Sequence, residues 1–184
     1  MKKVWLIVLG IVVVLALYGF SVYNGLIRSS EAADGQWAQV ETQYQRRYDL
    51  IPNLVESVKG IMQQEQSIFL ALAEARTKYG GAATVNDKAA AATQLDSALS
   101  RLLVVVENYP QLKSAENVQT LMSQIEGTEN RISVERKRYN DQVQSYNLKV
   151  KTFPSSVVAR LTGFGVRNYF DAAAGSDVAP QVTF

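Results

Sequence analysis

After Lys2 and Lys3 the chain runs 24 residues, Val4 to Ile27, without a charge, and the run stops at Arg28. A helix of that length rises about 36 Å, more than the roughly 30 Å apolar core of a bilayer. Whatever follows must fold beside a membrane surface. A cleaved secretory signal also opens with lysines and an apolar run, but its core is usually shorter and a small-x-small site follows. Gly19-Phe20-Ser21 matches such a site poorly, and the apolar character continues through Val22, Tyr23, Leu26 and Ile27. The run therefore reads as an uncleaved, single-pass anchor. Trp5 near one end, and Tyr18 and Tyr23 near the other, suit the two interfacial aromatic belts. Lys2 and Lys3 favour a cytoplasmic N-terminus and place the remainder outside the cytoplasm, with Arg28, Arg46 and Arg47 weighing the other way.

Lys2 and Lys3 are two of the 19 basic residues, and no acidic residue precedes Glu31. The chain from Arg28 onward thus holds 17 basic and 17 acidic side chains. A neutral domain without a basic stripe is a poor nucleic-acid binder, because that affinity comes largely from neutralising phosphates. Neutrality also argues against a large polybasic lipid-binding face. Histidine and cysteine are both absent, which removes Cys/His zinc sites, thiol chemistry, disulfides, a lipoprotein cysteine and histidine-dependent triads. No catalytic residue, metal site or cofactor is expected.

The rest reads as helix, so the fold class is all-α. An N-terminal transmembrane helix (1–28) precedes an antiparallel bundle of long helices (29–171), three long and one shorter at the C-terminal end, with an extended tail at 172–184. Trp37, Val40, Tyr44, Ile51, Leu54, Val58, Ile61, Ile68, Leu72 and Ala75 step by three and four, a heptad seam as in a coiled coil. Arg47 and Glu65 occupy seam positions without being apolar. The spacing predicts one helix as far as Tyr79-Gly80-Gly81. A second starts near Thr84, with Asp87 in capping position, and ends at Pro110. A third starts near Ser114 and carries Val118, Leu121, Ile125, Ile132, Tyr139, Val143, Tyr146, Val150 and Phe153. The fourth, from Ser155 to about Phe170, has Val157, Val158, Leu161, Phe164 and Phe170 as its apolar set.

Four features are candidate binding elements. Pro52 lies inside the first seam, where it removes a backbone donor and leaves the Tyr48 carbonyl without its partner. Asp49 and Asn53 share a face beside it. A structural kink is the plain reading, and a binding notch near the membrane the functional one. Arg47 and Glu65 each need a partner if buried, since an unpaired buried charge is costly. Glu129, Arg131, Glu135 and Arg136 on the third helix are the candidates, and register-fixing ion pairs are the favoured account. Tyr139-Asn140 and Tyr146-Asn147 repeat after seven residues and put both tyrosines on one stripe, read as core or as the lining of a ligand groove. Gly163-Phe164-Gly165 is a bend, not a phosphate loop.

In this order the motifs resemble the LemA family of bacterial membrane proteins. The resemblance rests on Tyr23-Asn24, on Arg46-Arg47 with Asp49-Leu50-Ile51-Pro52-Asn53-Leu54-Val55, on Val58-Lys59-Gly60 and on Glu65. It continues through Glu107-Asn108-Tyr109-Pro110, Leu112-Lys113, Glu129-Asn130-Arg131-Ile132, Arg136, the two Tyr-Asn pairs, Phe153-Pro154, Ala159, Gly163-Phe164 and Pro180-Gln181-Val182. It implies a single transmembrane helix and long antiparallel helices, with no established reaction. A relative in magnetosome-forming bacteria is linked to membrane invagination, which makes membrane organisation the implied role, and some members are placed with the domain in the cytoplasm.

Read together, these features point to a non-enzymatic protein of the bacterial inner membrane that contacts lipid, self-associates as a homo-oligomer and organises or remodels the bilayer. The alternative is a membrane-anchored adaptor or sensor whose bundle binds a partner protein, another membrane protein among the candidates, or a small ligand. A metal enzyme built on Glu65, Glu129 or Glu135 is a distant third.

Overall fold

Among the described residues, 2–170, the computed structural model contains helices and turns and no strand, so the fold class is the expected all-α one. The tail expected at 172–184 lies outside the described residues. The helices are α1 (Lys2–Lys59), α2 (Gln66–Gly81), α3 (Val85–Glu107), α4 (Pro110–Lys113), α5 (Glu116–Lys151) and α6 (Ser155–Thr162). Helix α1 carries the uncharged run and the first bundle segment in one stretch of 58 residues, and it continues through Pro52. Among the described residues two helices, α1 and α3, are long and apolar enough to cross a membrane. In α3, however, Ala91, Ala92, Leu95, Ala98, Leu99, Leu102 and Val106 are buried in protein.

Two compact units form. An anchor unit takes residues 2–38 and 137–169, and a bundle unit takes 39–136 with Phe170. In the bundle unit, four helical stretches (α1 from 39, α2, α3 and α5 to 136) run alternately up and down. Tyr44 and Tyr48 of α1 meet Tyr79 and Arg76 of α2 in reversed order, whereas Glu41 and Tyr44 meet Lys88 and Asp96 of α3 in the same order. Short connections between long helices produce this alternation. In the anchor unit α1 and α5 are also antiparallel, with Ser29 bonded to Lys149 and Trp37 packed on Tyr139.

The heptad seam holds exactly as far as the helix does. Trp37, Val40, Tyr44, Arg47, Ile51, Leu54 and Val58 are all buried. The expected continuation through Ile61 and Glu65 does not form, because α1 ends at Lys59 and a turn at 60–65 leads into α2. Gly60 is a poor helix former, Lys59 in the last turn complements the helix dipole, and Met62 rather than Ile61 fills the interior. The amides of Ile61 and Met62 bond back to the Val58 carbonyl, so the break leaves little backbone unsatisfied. Consequently the first bundle segment is two helices, and the bundle closes without α6.

Thr84 caps α3 as its sequence foretells, accepting from the Asp87 amide at 3.1 Å and donating to the Asp87 carboxylate at 2.7 Å. Pro110 ends α3 and opens the one-turn α4. Ser114 closes that turn, so α5 begins two residues later than expected, at Glu116. Gly163, at φ +80, stops α6 after eight residues. Only a residue without a side chain takes that left-handed conformation cheaply. Of the apolar set expected there, Phe170 is buried, while Val157 and Leu161 stand exposed, as does Phe153.

Candidate functional site

Each unit holds one polar cluster built from residues that the sequence singles out. In the bundle unit it centres on Arg47, which is 1 % exposed. Heptad spacing turns this side chain into the interior between α3 and α5, and its planar fork then needs acceptors on both. Its Nε donates to Thr128 Oγ1 at 3.0 Å, and its Nη1 to Asp96 Oδ1. Nη2 lies 2.6 Å from Glu129 Oε2, a charge contact without the geometry of a hydrogen bond. Thr128 passes its own hydroxyl to the Ile125 carbonyl at 2.6 Å.

Asp96 joins three helices. Its second oxygen accepts from Tyr44 Oη at 3.1 Å and from Arg136 Nη2 at 2.6 Å. Burial pushes the Asp96 carboxyl up to about 6; the Arg47 guanidinium works against that rise and Glu129 adds to it. Burial also lowers Arg136 to about 10, and its guanidinium stacks on the rings of Phe170 (4.4 Å) and Tyr44 (5.3 Å). Tyr79, 5.5 Å from Tyr44, has its hydroxyl held protonated by burial and by the nearby Glu41 and Asp96 carboxylates. Both oxygens of Asp96 are thus engaged by donors from the protein itself.

The neighbours of Arg47 in sequence point elsewhere. Asp49 is exposed and accepts from Gln45 at 2.9 Å, so the face-sharing pair with Asn53 does not form. Asn53 is exposed, and its carbonyl accepts from Ser57. Pro52 is half-buried, and one turn earlier on α1 the Tyr48 ring lies 4.0 Å from the Arg76 guanidinium. Glu65, half-exposed, stands in the turn before α2 and accepts from the amides of Ile68 and Phe69 through its carbonyl. It has no seam position to fill.

In the anchor unit the Tyr-Asn repeat grips the chain's own segment 165–168. Tyr146 Oη donates to the Gly165 carbonyl at 2.8 Å, and Tyr139 Oη to the Asn168 carbonyl at 3.4 Å. Asn147 reads the backbone of Arg167 in both directions, donating to its carbonyl at 2.9 Å and accepting from its amide at 2.8 Å. The Arg167 side chain then clamps Asp34 with two bonds, 2.5 and 2.7 Å, and Ser30 with a third at 2.8 Å. Asn140 is half-buried beside this row. The hydrogen-bonding capacity of Tyr146 and Asn147 that a ligand would use is therefore turned on the protein.

Asp96, Thr128, Arg167 and Asp34 were not among the sequence candidates. Asp96 left a trace, as the only charge between Lys88 and Arg101 on an otherwise apolar and small-residue helix. Arg167 left none, because it acts from an extended segment with no periodicity.

A helix bare of protein at one end and built into two packed units for the rest of its length defines a membrane-associated, all-α protein. The chain belongs to the LemA family, whose sequence profile matches residues 36–184. It is 27 % identical over 189 residues to magnetosome proteins MamQ 1 and MamQ 2 of Paramagnetospirillum magneticum, covering 87 % of this chain and 70 % of each relative. Magnetosome protein MamQ of Magnetospirillum gryphiswaldense is 26 % identical over the same shares.

Proposed function

We propose that this chain is a non-enzymatic, single-pass protein of the bacterial inner membrane that self-associates and organises or remodels the bilayer. The observation carrying this reading is the continuity of α1. Its residues from Val4 to Phe20 are bare, and from Leu26 to Val58 the same helix supplies buried side chains to both units. One helix thus joins the apolar run to the packed interior. The relatives named as magnetosome proteins support a membrane-linked role. At the Arg47 centre each Asp96 oxygen already has a donor, which suits a structural use of charge. By the charge rule, Lys2 and Lys3 lie in the cytoplasm and the domain outside it.

Full-length protein in nanodiscs and in vesicles tests the reading. Mass measurement should give a defined oligomer, and electron microscopy should show changed vesicle shape. A strictly monomeric particle that leaves vesicles unchanged sinks it. Labelling of single introduced cysteines in intact cells reads the sidedness.

One surface favours the adaptor reading. Lys59, Gln63, Gln66, Phe69 and Leu70 line an open groove of about 470 Å³ at the turn between α1 and α2, with Leu70 70 % exposed. Crosslinking in cells from Leu70 should recover one distinct partner if this groove is the working site. Recovery of the chain itself supports the first reading instead.

A further inference from the structure

The uncharged run of α1 is longer than the part of it left bare. Large apolar side chains are exposed from Val4 to Phe20, with Trp5 at 75 % and Phe20 at 67 %, but Leu26 is 1 % exposed. Tyr23, still 37 % exposed, packs edge-on against Phe164, with ring centroids 5.9 Å apart. The 17 bare residues rise about 25 Å, roughly 5 Å short of the apolar thickness of a bilayer. With Val4 at one edge of the apolar core, the opposite edge falls near Tyr23, where protein begins to cover the run.

That covering end carries a second apolar surface. Val157 and Leu161, four apart on α6, share a face and are 48 % and 82 % exposed, while Ala159 on another side is buried. Phe153, in the turn leading into α6, is 83 % exposed. From Gln142 to Phe170 the chain holds Lys149, Lys151, Arg160 and Arg167 and no acidic residue. Asp34 of α1 offsets Arg167, which leaves Lys149, Lys151 and Arg160 as the basic side chains of this stretch. Lys151 and Arg160 are exposed.

We propose that α6 and the Phe153 turn lie in the lipid interface as a second, shallow contact between the anchor unit and the bilayer. Val157, Leu161 and Phe153 enter the acyl boundary, and Lys151 and Arg160 reach anionic headgroups. Short amphipathic segments flanked by lysine and arginine bind this way, and long basic side chains extend to the headgroups while their stems stay apolar. The inference rests on the membrane reading of Val4–Phe20; Tyr23, three residues beyond that stretch, packs on Phe164, two residues after α6.

The chain has no cysteine, so single nitroxide labels at Leu161→Cys, Val12→Cys and Ser123→Cys report without background in full-length protein. In vesicles containing phosphatidylglycerol, the label at 161 should collide several-fold less often with a water-soluble nickel chelate than the label at 123, and more often with oxygen. Equal chelate accessibility at 161 and 123, with 12 shielded, overturns the inference alone. A label at 12 exposed to water overturns the membrane reading and this inference with it. Shielding at 161 accompanied by spin–spin broadening that disappears on dilution with unlabelled protein identifies a second copy as the occupant, and overturns the lipid assignment.

Discussion

Replacing Arg47 by lysine keeps the charge and removes the fork. The bond from Nε to Thr128 is lost, and one ammonium cannot reach Asp96 and Glu129 in the same planar geometry. Loss of a buried, charge-assisted hydrogen bond costs about 2 kcal/mol. Urea denaturation of Arg47→Lys in detergent should therefore show a clearly lower midpoint, and a wild-type midpoint would mean that the charge alone matters. Asp96 gives a pH signature of its own. In the folded protein it holds its proton up to about pH 6, whereas an unfolded chain releases it near 3.8. Between those values the folded state carries the extra proton, so this residue's contribution is complete below about 3.8 and is lost as pH rises through 6. One proton can give a slope of at most about 1.4 kcal/mol per pH unit. The difference in stability between wild type and Asp96→Asn should follow that slope between pH 4 and 6 and flatten above it. A difference independent of pH would show that Asp96 titrates normally.

At the scale of elements, what the sequence disclosed depended on whether the packing was local and periodic. The seam from Trp37 to Val58 and the Thr84 cap are legible because each rests on residues three or four apart. The turn at 60–65 was hidden because Ile61, Glu65, Ile68 and Leu72 keep the heptad phase across it. Only Gly60 and the burial of Met62 in place of Ile61 mark the break. Arg47 was legible as a buried charge and Glu129 as a candidate partner, but Asp96 comes from a helix 49 residues away that no local pattern connects to it. The Tyr-Asn repeat was visible as a stripe, while its target, an extended segment beyond Gly163, had no period to read. That clamp makes its own prediction. Asn147→Ala removes both bonds to the Arg167 backbone and leaves a partly buried amide and carbonyl without partners, at a cost of about 1–3 kcal/mol. Hydrogen exchange at 165–168 should accelerate while the central amides of α5 stay protected. Unchanged exchange there would assign the hold on this segment to Tyr146 and Arg167.

For the whole molecule, the question is where the membrane helix stops being a tether. Leu26 is buried and Tyr23, 37 % exposed, packs on Phe164, so the last turns of the uncharged run contribute to the anchor unit's packing. A fragment beginning at Ser29 lacks both contacts, although it keeps Ser30, Asp34 and Trp37. Deleting a buried leucine side chain from a packed site costs about 2–5 kcal/mol, and the aromatic pair adds to that. A fragment beginning at Ser21 retains Tyr23 and Leu26 while omitting the bare stretch. Thermal melts followed by circular dichroism should place the Ser29 fragment well below the Ser21 fragment, and exchange protection at α6 and at 163–168 should fall with it. The bundle unit's core from Val40 to Ile132 draws on none of the deleted residues and should keep its protection in both. Equal melting of the two fragments would return the uncharged run to the role of a simple anchor. A lower Ser29 fragment would mean that the helix in lipid and the folded domain share a core.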